Sequence, residues 1–433
     1  MTYEQTLDYL GSLNRFGINL GLVRIKKLLE LMDNPQRRYK TIHVTGTNGK
    51  GSTTAILASI LQQAGMKTGM YTSPHLVDYT ERMVIDGQPV SREMFAASVE
   101  AVKPFVTAMT DSGFEHPTEF EVLTAAAFYC FADAGVEYAV IEVGLGGKLD
   151  STNVITPEIS VITNVTLEHT DRCGSTVEEI AGHKAGIIKP AVPLVTGAEG
   201  AALAVILDEA GRKNSAVKVL NREFAVSAIA LEAGRQRFSL TESGRPAEEF
   251  VLSLAGRHQI ANAALAIEAI RELAVRESRL TEAAIRRGVL AASWPGRFEI
   301  FGGQPTVIAD GAHNPAGAKV LRQALDEYFP GAGITFILGI LKDKDIRGVV
   351  EQLVRKQDYV ITVAPDSERA AAAEELAALL PEAGAEPASS LEAAFVRALM
   401  LAGPDGIVCI TGSLYLIGRA RTRIMEWQAG QVR

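Results

Sequence analysis

The chain is poor in residues that form covalent or metal cross-links. Its three cysteines, Cys130, Cys173 and Cys409, lie far apart and form no C-x-x-C pair. Neither a disulfide framework nor a cysteine zinc site is indicated. Long apolar runs are also lacking. The longest, AGITFILGIL, is too short to span a bilayer. The N-terminal MTYEQTLDYLGSL has acidic residues and no apolar core segment, unlike a signal peptide. Basic residues are not in excess: 43 Lys and Arg face 51 Asp and Glu, for a net charge of −8. That balance argues against a nucleic-acid partner, which needs a basic face. It also means that an anionic substrate must be met by local cations. These absences predict a soluble, cytoplasmic protein with no membrane or nucleic-acid partner. What is present is ample core material, 47% hydrophobic over 433 residues, enough for two or three domains.

The most informative stretch is HVTGTNGKGSTT, His43 to Thr54. A β-branched run precedes it and an apolar run at helical spacing follows, so it reads as strand, glycine-rich turn, helix. Unpaired N–H groups and the dipole at a helix N-terminus favour an anion, and glycines let the main chain approach phosphate oxygens. Lys50 would add a point charge, and Ser52 or Thr53 could hold Mg²⁺. The spacing is not the usual one: Gly46 and Gly49 enclose two residues, and Gly51 separates Lys50 from Ser52. A tight turn without a ligand is the plainer alternative.

Strands alternate with helices through most of the chain. KTIHVTG, KTGMYTS, EYAVIEV and ISVITNV read as buried parallel strands, with SREMFAASVEAVKPFV and EFEVLTAAAFYCFADAG as helices between them. Ligands in such sheets bind at strand carboxyl ends. Ser73, Glu142 and the segment from Asn164 to His169 fall there. From about 195 to 255 the pattern changes, and AVSAIALEAGRQRFSLTESGRPAEEFVLSL reads as a small antiparallel insertion. A Trp-Pro-Gly near 294 suggests a hinge. Beyond it TVIAD, ITFILGI, DYVITVA and GIVCITG begin a second α/β series without G-x-G-x-x-G. ERAAAAEELAALLPEAGAEPA reads as an exposed helix. The fold expected is α/β, with an N-terminal parallel-sheet P-loop ATPase domain over 1–294 and a smaller Rossmann-like domain over 295–433.

Single residues leave alternatives open. Glu142 ends an apolar strand, where a carboxylate is costly unless a cation or salt bridge meets it. His169 is a Mg²⁺ ligand, a phosphate contact or a structural histidine. Lys184 in GHKAGIIKP, taken alone, reads as a solvated helix lysine. Asp310 and His313 in IADGAHNP are compatible with a simple turn.

Taken together, TGTNGKGS, SPHL, TEFEVLTAAAF, EVGLGGKLDSTN, HKAGIIKP, GRHQIANA, WPGRFE, DGAHNP and TGSLYLIG occur in an order that resembles the folylpolyglutamate synthase/dihydrofolate synthase family of the Mur ligase superfamily. The resemblance runs from FGINLGLVRI to Gly418. It implies an ATP-dependent ligase that adds L-glutamate to dihydropteroate or reduced folates, working in a cleft between two domains. It implies ATP contacts at Thr47, Asn48, Gly49, Lys50, Gly51 and Ser52, and at Asn262, Arg297 and Asp310. Ser73 and Glu142 match ligands of one Mg²⁺ and His169 a ligand of a second. Lys184 matches a lysine often carboxylated in the family. His313 and Ser413 match residues near the incoming glutamate. Asn19, Leu20 and Gly21, Thr118, Glu119, Phe120 and Glu121, and Leu149, Asp150 and Ser151 match segments lining the pteroate pocket. Lys50, Lys184 and His313 are the catalytic candidates, and a monomer is expected. Three positions depart from the family: Lys148 for arginine, Glu168 for aspartate, and His183 for the glutamate before the lysine. Two other readings stand beside this one, a cell-wall precursor ligase and a nucleotide-binding module that does not ligate. SPHL and EVGLGGKLDSTN favour the folate reading over the first. The second lacks an Asn-Lys-x-Asp guanine motif after the loop.

Overall fold

The β-branched runs of the first half assemble into one sheet. Its strands are β1 (Lys40–Thr45), β2 (Thr68–Tyr71), β3 (Met83–Ile85), β4 (Gln88–Pro89), β5 (Tyr138–Glu142), β6 (Ile159–Ile162), β7 (Leu194–Thr196) and β8 (Val217–Val219), in the order β4-β3-β2-β5-β1-β6-β7-β8. From β2 to β8 all neighbours are parallel, while β3 and β4 form an antiparallel edge. Burial is continuous along β5 and β6, as expected when helices cover both faces of a parallel sheet. Register pairs Val44 with Glu142 and with Val161, which brings the carboxyl ends of the three central strands level.

This computed structural model describes residues 1–232, 234–380 and 384–431. The chain divides into two units. The first is Met1–Ser227, Ser239–Phe250 and Ala261–Ala292, and the second is Ala228–Phe238, Val251–Ile260 and Ser293–Arg433. The parallel sheet lies in the first unit. One of its cores packs Phe95, Phe128 and Phe131 with Leu28 and Ile141. The helix Lys50–Gln63 packs on Glu282–Ala291 so closely that a Cβ on Gly288 would lie 2.4 Å from the Ile60 Cα.

The expected change of pattern near 195 begins later. β7, the helix Gly200–Arg212 and β8 continue the parallel sheet. Strands of three residues carry too little periodicity to be read from sequence. The antiparallel sheet is β9 (Phe224–Glu232), β10 (Arg235–Glu242) and β11 (Glu248–Leu252), in the order β11-β10-β9. β10 shows the alternating burial of a half-covered strand, with Phe238 and Leu240 inside.

The second unit holds β12 (Glu299–Phe301), β13 (Thr306–Asp310), β14 (Ile334–Leu338), β15 (Tyr359–Thr362), β16 (Gly384–Pro387) and β17 (Ile407–Thr411), in the order β12-β13-β17-β14-β15-β16. Five strands are parallel and β12 is an antiparallel edge. The Ala/Glu-rich stretch is not one exposed helix. Among its described residues only Ala373–Ala378 is helical, Ala371 and Leu376 are buried in the core, and part of the stretch forms β16. Apolar alanines at the core make the difference. Residues 381–383 of that stretch lie outside the described residues.

A buried ionic network ties the helix Arg257–Ala274 to its neighbours in the first unit. Arg271 donates to Glu248 at 2.7 Å, to Glu268 at 3.1 Å and to Glu282 at 3.0 Å. Lys218 meets Glu242, Glu268 and Glu272. Removing the guanidinium breaks a buried ion pair at the centre of the cluster and leaves Glu268 to Lys218, Glu248 to Arg286 and Glu282 to Arg245 alone. Arg271→Ala is therefore expected to cost about 3–5 kcal/mol in urea unfolding. Arg271→Lys should recover only part, because a point ammonium cannot replace a planar fork.

Candidate active site

The glycine-rich turn forms as the sequence suggests. Gly49 adopts φ 83° and stands at the N-terminus of the helix Lys50–Gln63, with no side chain capping it. The first N–H groups of that helix are thus left to an anion. The turn is clamped against the end of β6. Asn48 N–H donates to Asn164 Oδ1 at 3.0 Å, and its carbonyl accepts from Thr163 Oγ1 at 2.6 Å and Asn164 Nδ2 at 3.0 Å. Thr47 N–H donates to the Asn164 carbonyl at 3.0 Å. A Cβ on Gly46 would lie 1.8 Å from Thr163 Oγ1, and one on Gly49 would lie 2.3 Å from Asn262 Oδ1. Asn262 is buried and backs the loop. Lys50 Nζ donates to the carbonyls of Gly46 at 3.0 Å and Thr47 at 2.9 Å. Gly51 follows within the first turn, and Ser52 is buried there.

Ser73 and Glu142 come together at the ends of β2 and β5: Ser73 N–H donates to Glu142 Oε2 at 3.2 Å. Glu142 is buried. His169 sits in the loop after β6 at φ 52°, its carbonyl accepting from Arg172 N–H at 2.9 Å and Cys173 N–H at 2.8 Å. Lys184 is not a solvated helix lysine. It is buried on the helix Val177–Ala185, and burial together with the nearby Lys50 pushes its pKa down to about 7, against the pull of Glu168 and Cys173. Among the described residues no three His, Cys, Asp or Glu side chains gather into a metal cage. Glu142 and Ser73 still offer a carboxylate and a hydroxyl. That set suits Mg²⁺, which is typically held by one or two carboxylates plus substrate phosphates and water.

The three segments expected at the pteroate pocket are joined. Arg24 Nε donates to Glu121 at 3.0 Å, and its Nη2 donates to the Asn19 carbonyl. Gly21 N–H donates to the Leu149 carbonyl at 3.3 Å. Leu20 lies between these two anchors. Thr118 and Glu121 form a capping box at the helix Glu119–Asp133, so Glu121 faces its own backbone and Arg24. Glu119 accepts from Tyr79 Oη at 2.8 Å. The ring of Phe120 lies against Gly144, where a Cβ would be 2.5 Å from its Cζ. Asp150 is buried and accepts from Leu145 N–H at 2.8 Å and Thr152 N–H at 3.0 Å, and Ser151 is buried beside it. Arg24, Thr163, Tyr79 and Thr152 were not singled out from sequence, since nothing local marks a residue whose partner is distant.

In the second unit the loops after β13 and β17 meet. Gly412 N–H donates to the Ala312 carbonyl at 3.0 Å. Asp310 accepts from Phe298 N–H at 2.7 Å and Ala312 N–H at 2.8 Å. Burial raises its pKa, and Arg297 opposes that rise. His313 Nδ1 lies 2.8 Å from the Gly311 carbonyl. Ser413 is buried, and its Oγ accepts from Tyr415 N–H at 3.2 Å.

Residues 44–270 match the Mur ligase middle domain, and residues 296–414 match the Mur ligase, glutamate ligase domain. The chain is 36% identical over 429 residues to the dihydrofolate synthase/folylpolyglutamate synthase of Bacillus subtilis, a match covering 98% of this chain and 99% of that one. The chain belongs to the folylpolyglutamate synthase/dihydrofolate synthase family. Two solved members of the family align with it over nearly their whole length. One is the Mycobacterium tuberculosis folylpolyglutamate synthase complexed with ADP and AMPPCP, with TM-score 0.89, 35% identity and coverage of 98% and 99% of the two chains. The other is Escherichia coli FolC in complex with DHPP and ADP, with TM-score 0.88, 30% identity and 98% of each chain covered. Like the rest of this ligase family, the chain is an ATP-dependent ligase. No described helix is long and apolar enough to cross a membrane.

Two outcomes follow from this geometry. Gly49→Ala pushes a Cβ into Asn262 at a positive φ, so a folded variant should lose at least tenfold in ATP affinity, measured by calorimetry. The second concerns acid. Burial lowers His258 to about 4, with Arg297 adding to the effect, and lowers His43 to about 3, with Lys189 adding, both from 6.5. Below pH 6.5 the unfolded chain then takes up protons that the folded chain refuses. Stability is thus fully present above about pH 6.5 and falls as pH drops toward 4. Denaturant titrations across that window should show a slope that His258→Asn reduces.

Proposed function

We propose that this ligase joins L-glutamate to dihydropteroate and to reduced folates through an acyl phosphate, so that it has both family activities. A carboxylate is a poor acyl donor because its leaving group would be oxide. One carboxylate oxygen of the acceptor attacks the γ-phosphorus of ATP, the bond to the β-phosphate bridging oxygen breaks, and ADP leaves. The glutamate amine then attacks the acyl carbon. The tetrahedral intermediate collapses with loss of inorganic phosphate, and the amine proton passes to solvent. Catalysis of this kind is mainly positioning and charge stabilisation.

In this reading the N–H groups of Gly49 to Ser52 and the Lys50 ammonium meet the β- and γ-phosphates. Thr47, Asn48 and Asn262 hold the loop, and Arg297 and Asp310 contribute to nucleotide binding. Ser73 and Glu142 would hold one Mg²⁺, and His169 and Lys184 a second. Bound there, Mg²⁺ would neutralise charge on the phosphate oxygens. Residues 19–21, 118–121 and 149–151 take the pteroate portion. His313 and Ser413 serve the incoming glutamate, with residues 1–294 and 295–433 as the two working domains. The observation that carries the reading is a linkage in the first unit: Thr45 Oγ1, one residue before the phosphate turn, donates to the Gly146 carbonyl at 2.7 Å in the loop leading to Leu149. Phosphoryl donor and acceptor segments thereby share one scaffold. The enzyme is taken to act as a cytoplasmic monomer.

An ammonium at Lys184 would repel Mg²⁺, so its role requires carboxylation. The neutral amine attacks CO₂, an N–C bond forms and a proton is released, leaving an anionic carbamate. A pKa near 7 supports this, because much of the amine is then unprotonated at neutral pH.

The assay is phosphate release and product formation with Mg-ATP, L-glutamate and either dihydropteroate or tetrahydrofolate. Turnover with both acceptors is expected. Activity with tetrahydrofolate alone would remove the synthase half, and turnover only with a nucleotide-sugar acceptor would replace the reading. Lys184→Ala should lose at least a hundredfold in kcat, and a short carboxylic acid should restore part of it. ¹³C-bicarbonate NMR of native enzyme should show the carbamate, and a bare ammonium in active Mg-ATP-bound enzyme would rule it out.

A further inference from the structure

β1 sits between two parallel neighbours, where a continuous apolar run is the norm. Its sequence departs from that. Thr41, His43 and Thr45 alternate with Ile42 and Val44, so one face of the strand is polar. All three polar residues are buried. Thr45 and His43 on this face both reach the segment that follows β5. Thr45 Oγ1 donates to the Gly146 carbonyl, and His43 Nε2 lies 2.9 Å from Thr152 Oγ1.

The direction of the second contact follows from the next one. Thr152 Oγ1 is 2.5 Å from Asp150 Oδ1, and a carboxylate can only accept. The hydroxyl proton is therefore committed to Asp150, and Thr152 Oγ1 must accept from His43 Nε2–H. That assigns the tautomer: Nε2 carries the proton and Nδ1 a lone pair. Nδ1 is buried without a hydrogen-bond partner, consistent with its carrying no proton. Asp150 spends its remaining capacity on backbone, accepting from Thr152 N–H and Leu145 N–H. The chain His43–Thr152–Asp150 thus sets the path of residues 145–152. That path fixes the Leu149 carbonyl, which receives Gly21 N–H at 3.3 Å.

We propose that His43 and Thr152 are positioning residues for the folate acceptor, holding the 145–151 loop against the 19–21 segment through the Asp150 carboxylate. The proposal rests on the reading of 19–21 and 149–151 as the acceptor pocket. It gives the Asp150 carboxylate the task of holding its own loop. It also joins the acceptor loop to the strand that ends in the phosphate turn.

The test is steady-state kinetics of Thr152→Val and Thr152→Ser, with acceptor and ATP varied separately. Thr152→Val removes the donor to Asp150 and leaves a buried carboxylate short of a partner. It should raise the acceptor KM about tenfold while the ATP KM stays within about twofold. Thr152→Ser keeps the hydroxyl and should stay within about twofold of the parent for both. An unchanged acceptor KM in Thr152→Val, an equal rise of both KM values, or a serine variant as impaired as the valine variant overturns the proposal. Leu149→Ala tests the pocket reading by itself. A raised acceptor KM there with none in Thr152→Val refutes only the positioning role, whereas no effect at Leu149 refutes the pocket and with it the proposal. Should Thr152→Val fail to fold, ¹⁵N NMR of the imidazoles in the parent protein, with the His43 signal assigned by its loss in His43→Gln, decides the chain. Protonation at Nε2 is expected, and protonation at Nδ1 overturns it.

Discussion

The first unit is organised around how closely the phosphate turn lies against the end of β6. Gly46 is near enough to Thr163 that no side chain fits between them. Three hydrogen bonds from the 163–164 segment then hold Asn48. The turn is therefore shaped by the protein before any ligand is considered. Its free N–H groups at the helix start are already aimed, and little ordering cost remains for a phosphate to meet. The same closeness explains why β1 and β6 must be neighbours in register, with His43 opposite Ser160 and Thr45 opposite Ile162.

Buried carboxylates form a second level of this organisation. Glu121, Asp150 and Asp310 are buried, and each accepts from backbone: one N–H for Glu121 and two each for Asp150 and Asp310. A carboxylate is well suited to this task. It has several acceptor sites and no donor, so one side chain ties two or three amides into a fixed loop. The cost of burying the charge is offset by those bonds, and Asp150 and Asp310 still show the upward pKa pull of burial. Loops held in this way keep their shape at strand ends, where regular pairing stops.

Lys50 and Lys184 add an electrostatic constraint of the opposite sign. Two amines close enough to lower the pKa of one of them are unfavourable in a buried setting unless one loses its proton or an anion joins them. Loss of the Lys184 proton or the arrival of an anion relieves this, even though the chain as a whole is acidic. Local placement, not net charge, sets the sign of the field that a phosphate would meet.

The sequence by itself determined the α/β class, the central strands and the phosphate turn. Those features are local: β-branched runs bounded by Gly, an N-terminal helix signal, and a lysine at fixed offset. It also placed Ser73 and Glu142 at strand ends, and the sheet register then brought them together. Strands of two or three residues, such as β4 and β7, were not legible, because so few residues hold no period. The partners were not legible either. That Glu121 turns to Arg24, that Lys184 is buried beside Lys50, and that His43 reaches Thr152 were decided only by the tertiary structure. These pairs lie 97, 134 and 109 positions apart, and burial and desolvation, which fix charge and tautomer, exist only once those distant segments have packed.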